Sequence, residues 1–260
     1  MLEELDQTLQ KVGKTILELR HSAASAGTWE GAQLKTEADR LAHQQLRNRL
    51  ENLGVNIPVI SEEDFQSQAL VRPKLYWLID PIDGTASFSD GFDGFVTQIA
   101  LMDKGRPVLA AVNAPALKLT YLAAEGQGAT LNGKRLNVSS TSNRKILIDN
   151  YPEPRGIAAS AIRSLQCTGY IESGSIGLKI CRIADGKADL FIKDIVLRDW
   201  DIAPGHLILT EAGGEITNMD KTDFLFGGSY EKTGIIAART QDLINSTALW
   251  LGKNRKTNLL

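Results

Sequence analysis

Cysteine is scarce in this chain: Cys167 and Cys181 are the whole supply among 260 residues. Two thiols make no disulfide framework and stand at no metal-finger spacing, so a reducing, cytoplasmic setting is expected. Histidine is equally thin. His21, His43 and His206 lie too far apart in sequence to suggest a metal-histidine site or a catalytic triad. No apolar run approaches the roughly 18 residues that a membrane span requires. The opening MLEELDQTLQKVGK is charged throughout and lacks the apolar centre of a signal peptide. Neither sign of charge dominates, with 29 basic against 31 acidic residues and a formal net charge of −2. A coat for a nucleic acid polymer is therefore not expected. No internal repeat and no Cys-x5-Arg phosphatase loop appears, and the glycine-rich EGQGATLNG (125–133) lacks the Lys-Ser/Thr of a phosphate-binding P-loop.

What remains is an ordinary globular composition, 43% hydrophobic and 23% charged. Leu2, Leu5, Leu9, Val12, Ile16 and Leu19 recur at helical spacing, and a second stripe runs from about Thr36 to Leu53, closed by Gly54. The period then shortens. VNIPVIS (55–61) and LYWLID (75–80) read as strands that run into acidic residues, and 95–102, 107–114 and 117–124 read as a meander. Asn132-Gly133 marks a tight hairpin. After a polar linker at 139–145, strands at 146–150, 170–173 and 188–193 alternate with helices at 157–166, 175–185 and 201–212. The expected organisation is an N-terminal α+β half at 1–140 and a C-terminal α/β half at 141–260.

The chemistry concentrates in LYWLIDPIDGTASF (75–88), where a strand ends at Asp80, Pro81 turns the chain and Asp83-Gly84-Thr85 opens a helix. Two carboxylates across such a turn converge, and helix-start amides favour an anion beside them. Acids and anion-binding amides coexist when cations stand between them, and hard oxygen ligands point to Mg²⁺ over zinc. Each acid also has a plainer reading as a turn former or helix cap. An EF-hand is excluded, because Ile82 and Gly84 occupy the third and fifth loop positions counted from Asp80. ISEED (60–64) places Glu62 and Glu63 after a strand, and RDWDIAPGHLILTEAGG (198–214) places Asp201 at a helix start.

Taken together, these segments resemble the lithium-sensitive, magnesium-dependent phosphatase superfamily that includes inositol monophosphatases and 3′(2′),5′-bisphosphate nucleotidases. WLIDPIDGTASF (77–88) is similar to W-x-[IV]-D-P-[IL]-D-G-T-x-x-F, and WDIAPGHLILTEAGG (200–214) to the W-D-x-A-[AP]-[GA] signature that ends in Gly-Gly. The resemblance implies the layered α/β sandwich of the sugar-phosphatase fold. It implies that Glu62, Asp80, Asp83, Asp201 and the Ile82 carbonyl hold two or three Mg²⁺, with Glu63 behind them. Thr85 and Asp39 would help deprotonate the attacking water, and the Gly84 and Thr85 amides would hold the phosphate. Thr36 and Asp39 also fit a capping box, the plainer role for that acid. The segment before Asp39 departs from the family pattern: no lysine stands in the usual register, Gln33 replaces a common acid, and no lid role passes to Lys35. Ala86-Ser87 follows Thr85 where a pair containing Asn is more usual.

SGSIGLKICRIADGKADLFIK (173–193) resembles the nucleotidase branch. That resemblance implies that Ser175 and Lys179 contact phosphate, with Lys193 close by and Asp194 on the sugar side. The plainer reading of Lys179 is a solvated helix lysine. The leading expectation is hydrolysis of 3′-phosphoadenosine 5′-phosphate to AMP and phosphate, by a monomer or homodimer. Inositol or sugar phosphates, fructose 1,6-bisphosphate included, come second. A non-catalytic phospholigand sensor is a distant third, because the acids and Thr85 are all present.

Overall fold

A computed structural model describes residues 1–30, 33–69, 71–138 and 144–257. The polar linker expected at 139–145 lies, over 139–143, outside the described residues. Helix α1 (Leu2–Arg20) leads to a short antiparallel hairpin, β1 (Gly27–Glu30) and β2 (Gln33–Thr36), and then to α2 (Glu37–Glu51). Strand β3 (Val59–Ser61), the short helix α3 (Phe65–Gln68), β4 (Leu75–Asp83) and the single-turn α4 (Thr85–Ser89) follow. Strands β5 (Val96–Asp103), β6 (Arg106–Ala114), β7 (Leu119–Ala124), β8 (Gly128–Leu131) and β9 (Lys134–Arg135) complete a sheet of seven in the order β3-β4-β5-β6-β7-β8-β9. Its hairpin at Asn132-Gly133 has both residues at positive φ, 48° and 76°, as a two-residue turn requires.

The rest of the chain builds a second sheet. Its elements are β10 (Ile146–Asp149), α5 (Gly156–Ser164), β11 (Gly169–Glu172), α6 (Ile176–Ala184), β12 (Leu190–Arg198), α7 (Asp199–Glu211), β13 (Glu215–Thr217), β14 (Glu231–Ala238) and α8 (Gln241–Thr257). The five strands run in the order β11-β10-β12-β14-β13, with β10 parallel to both neighbours and β14 antiparallel to β12 and β13.

Period-two alternation fixes the layers. On β4, Trp77 and Ile79 face the α1/α2 pair with Leu5, Leu9, Ala42 and Leu46. Tyr76 and Leu78 face the other way, onto Leu178 and Ile180 of α6 and Trp200, Ile202 and Ala203 of α7. The second sheet alternates in the same manner. Phe191, Ile235 and Ala237 join the α6/α7 core, while Leu190, Ile192, Ile236 and Ala238 pack on Ala158 and Ala161 of α5 and Ile244 of α8. The result is an α-β-α-β-α sandwich with α6 and α7 between the two sheets. This is why α7 is apolar on every side, with Ile202, Ala203, Pro204, Leu207, Ile208 and Leu209 all buried. Among the described residues no helix is long and apolar enough to cross a membrane.

Candidate metal centre

The acids meet where β3, β4 and α7 end. Strand β3 runs parallel to β4 with Ser61 opposite Ile79, so the next residues along, Glu62 and Asp80, become neighbours. The Glu62 N–H donates to the Ile79 carbonyl at 3.3 Å and extends that register. Carboxylate oxygens of Glu62, Asp80 and Asp201 all lie within 4.8 Å of one another. Both Asp80 oxygens are buried without a hydrogen-bond partner among the described residues. An ionised carboxylate in that state is costly unless a cation neutralises it. Burial first, and then Glu62, Asp83 and Asp201, push the Asp80 pKa well above the usual carboxylate range. Asp201 is pushed up by burial and by Asp83 and Glu62, against the pull of its bond from the Arg198 N–H at 2.7 Å. An all-oxygen donor set of this charge suits a hard divalent ion.

Asp83 enters by a different route. The β4–β5 ladder is regular as far as Asp80 opposite Gln98 and shifts before Asp83 opposite Val96. Pro81, which has no N–H to give the ladder, lies in that break. The Asp83 carboxylate then reaches the start of α6, accepting from the Gly177 N–H at 2.7 Å and the Ile176 N–H at 3.4 Å. A Cβ on Gly177 would stand 2.2 Å from Gln98 Oε1 and 3.2 Å from Asp83 Oδ2, so any side chain there would push Gln98 and Asp83 out of these positions. Burial raises the Asp83 pKa to about 6 even though those N–H groups pull it down. Asp83 thus adjoins the trio, and its negative charge acts on both Asp80 and Asp201.

Gln98 joins Asp83 to α7. Its Nε2 lies 3.3 Å from Asp83 Oδ2 and donates to the Trp200 carbonyl at 2.9 Å. In an unbroken helix that carbonyl would accept from the residue four positions on, but that residue is Pro204. The proline therefore leaves an acceptor open beside the acids, and the glutamine fills it.

Asp39 and Asp201 each serve their helix as well as the site. Asp39 Oδ2 accepts from the Thr36 N–H at 2.7 Å and from the Thr36 hydroxyl, closing the capping box of α2. Its Oδ1 lies 3.2 Å from Thr85 Oγ1, which is also 3.1 Å from the Ile82 carbonyl. Burial raises the Asp39 pKa against the bonds from Thr36. Gly84 precedes Thr85 at φ +88°, the left-handed conformation that lets the chain leave β4 and begin α4.

Lys35, to which sequence reasoning assigned no role, sits among these acids. Its Nζ is 2.9 Å from Glu62 Oε1 and also contacts Glu63 Oε1. Burial works to lower the pKa of Lys35, but Glu62 and Glu63 overcome it and raise the value. Burial lifts the Glu63 pKa to about 7 despite Lys35 beside it. Lys35, Glu62, Glu63, Phe65, Arg198, Trp200 and Tyr230 line a cleft of about 500 Å³. A second cavity of about 480 Å³ lies beneath α8 and is lined by none of the acids above.

The proposed phosphate contacts divide. Lys179 is fully buried, and its ammonium donates to the Gly174 carbonyl at 2.7 Å and the Ser175 carbonyl at 3.0 Å. The sequence expectation of a phosphate contact, and the plainer one of a solvated lysine, both differ from this placement. The cause is that α6 is covered by sheet on both sides. Burial brings the Lys179 pKa down to about 7, with Asp83 and Asp149 opposing. Ser175 is also buried and spends its hydroxyl on the Leu178 N–H at 2.9 Å as the cap of α6. Lys193 is half-buried, 2.6 Å from Asp149 and 5.7 Å from the centre of the Tyr151 ring. Asp194 is exposed within the irregularity of β12 between Lys193 and Val196. Asp149 and Gln98 carried no motif; Pro204 was the one signal that could have led to Gln98. His206 packs edge-on against Phe226 at 5.5 Å.

A model of the inositol monophosphatase family matches residues 1–250. The 3′(2′),5′-bisphosphate nucleotidase CysQ of Escherichia coli is 32% identical over 223 residues, covering 83% of this chain and 89% of that protein. The Nus factor SuhB of Escherichia coli is 32% identical over 211 residues, covering 78% and 76% respectively. Among solved structures, the IMPase of Thermotoga maritima superposes with a TM-score of 0.80 at 24% identity, over 97% of this chain and 99% of that one. CysQ from Bacteroides thetaiotaomicron gives a TM-score of 0.77 at 23% identity, over 92% and 97%.

Proposed function

The chain belongs to the inositol monophosphatase family and is a phosphatase, and from that premise we propose that it hydrolyses 3′,5′-bisphosphate nucleotides, releasing the 3′-phosphate. The observation that carries the phosphatase chemistry is the buried Asp80 carboxylate, unpartnered and within 4.8 Å of Glu62 and Asp201. The family is metal-dependent, generally on Mg²⁺. Here Glu62, Asp80, Asp83, Asp201 and the Ile82 carbonyl would hold the ions, two or three in number. When bound, such ions neutralise phosphate oxygens and acidify a water.

The chain's own groups do the rest. The Gly84 and Thr85 amides at the start of α4 hold the phosphate. Thr85 Oγ1 accepts a proton from the attacking water and passes its own to Asp39 Oδ1, 3.2 Å away. Burial, which raises the Asp39 pKa, makes that carboxylate a better proton acceptor. Gln98 and the α6 amides fix Asp83, and Glu63 stands behind Glu62. The metal-binding motifs fall in the N-terminal half (1–140), and the C-terminal half (141–260) adds Asp201 and the substrate side.

The 32% identity to CysQ supports the nucleotide substrate. So does Lys193, a cation beside the exposed Tyr151 ring, where a base or second phosphate would lie. Lys179 and Ser175 act by holding the start of α6, whose amides bind Asp83, and Asp194 lines the sugar side. The burial of Lys179 favours a second reading, an inositol or sugar monophosphate, which needs no additional cation. Phosphate release with Mg²⁺ from the 3′,5′-bisphosphate nucleotide and from inositol 1-phosphate, measured side by side, decides between them. A higher kcat/KM on the nucleotide is expected; equal or reversed preference overturns the nucleotide assignment, and no release from either overturns the phosphatase chemistry.

A further inference from the structure

Lys35 is the third residue of β2 and ends as a side chain wedged between two carboxylates, with 15% of it exposed against 14% for Glu62 and for Glu63. The bond to Glu62 Oε1 is 2.9 Å. The same carboxylate supplies an oxygen to the trio whose mutual distances suit a divalent ion. An ammonium and a divalent cation on one carboxylate repel strongly at such separations. Either the ion displaces the lysine or the lysine keeps the ion away. Glu63 offers the displaced ammonium a second partner, and the cleft beside it offers room.

We propose that Lys35 is a built-in competitor for metal at Glu62: its ammonium neutralises the acid cluster in the metal-free protein and must be displaced before a divalent ion can use that carboxylate. The inference rests on the reading of Glu62 as a metal ligand and adds a positioning residue to it. It has two consequences. Metal at this position binds more weakly than the acids alone would allow, and the metal-free fold is protected from the repulsion of its own carboxylates. Lys35 also acts electrostatically on Asp39 and Asp80, so its displacement is felt across the site.

The test is calorimetric titration of Mg²⁺ alone into the metal-free full chain, as wild type, Lys35→Met and Lys35→Arg. Lys35→Met should bind at least one Mg²⁺ roughly tenfold more tightly, equivalent to about 1.4 kcal/mol, while its metal-free form melts lower; Lys35→Arg should stay near wild type. Equal or weaker Mg²⁺ affinity in Lys35→Met overturns the inference while leaving the metal centre intact. Absence of Mg²⁺ binding in all three proteins overturns the metal centre and the inference together. Should Lys35→Met fail to fold, amine labelling of wild-type Lys35, read by mass spectrometry, gives the answer. Labelling severalfold faster with saturating Mg²⁺ supports displacement, and an unchanged or slower rate overturns it.

Discussion

Gln98 donates to the carbonyl of Trp200 at 2.9 Å, in the place of a helix bond that Pro204 cannot make. One side chain thus repairs α7 and lies against Asp83. Gln98→Leu should leave a buried carbonyl unpaired and cost about 1–3 kcal/mol of folding stability, read by urea denaturation. It should also weaken Mg²⁺ binding, because Asp83 loses a neighbour that fixes it. Unchanged stability would mean that the Trp200 carbonyl finds another donor.

Asp80→Asn separates stability from function. Its carboxylate is buried, unpartnered and repelled by Glu62, Asp83 and Asp201. Removing that charge should raise the melting temperature of the metal-free protein while lowering phosphatase activity by at least about 100-fold. A variant that loses both stability and activity would show that Asp80 is held by favourable contacts in the absence of metal.

Thr85 bridges Asp39 and the Ile82 carbonyl. Thr85→Val keeps the shape and removes the hydroxyl, so kcat should fall about 100-fold with little change in KM. Thr85→Ser should recover most of the rate. Steady-state kinetics on the two variants gives the answer, and a serine as impaired as the valine would contradict a role for the hydroxyl.

Acid sensitivity should trace in part to His206. Burial lowers its pKa from 6.5 to about 4, with Asp223 opposing, and its Nδ1 is buried without a partner. Above pH 6.5 both the folded and the unfolded chain carry neutral imidazole, so its contribution to stability is fully present. As the pH falls from 6.5 towards 4, the unfolded chain takes up a proton that the folded one refuses, and stability is lost. His206→Phe should remove about 2 kcal/mol of that loss. Denaturation midpoints of the two proteins at pH 7 and pH 4.5 provide the comparison, and parallel losses would rule out His206 as a cause.

Much of this molecule was legible in the sequence because two periods carry the layers. The stripe Leu5, Leu9, Val12 and Ile16 faces inward on α1, and the meander at 95–124 forms β5, β6 and β7 within a residue or two. The hairpin of β1 and β2 was not legible: GTWE and QLKT show no apolar alternation, and pairing alone defines them. Strand β14 and helix α8 also escaped, since EKTGIIAA begins polar and buries only its second half. The acids of the site were legible through their order. For Asp39 and Asp201 the cap and the functional acid, which read as alternatives, coexist in one side chain. Lys179 and Lys35 were not legible, because a lysine's surroundings depend on which layers cover it. Sheet on both sides of α6 buries the first, and the β1–β2 hairpin delivers the second to Glu62.

Anomalous diffraction from a crystal soaked in Mn²⁺ examines the convergence of these carboxylates without reference to any substrate. The arrangement of Glu62, Asp80 and Asp201 within 4.8 Å predicts a strong manganese peak bounded by those side chains, with Asp83 and the Ile82 carbonyl turned towards the same cluster. A protein that takes up manganese only elsewhere, or leaves this cluster without a peak at saturating Mn²⁺, would contradict a metal-dependent phosphatase centre at this site.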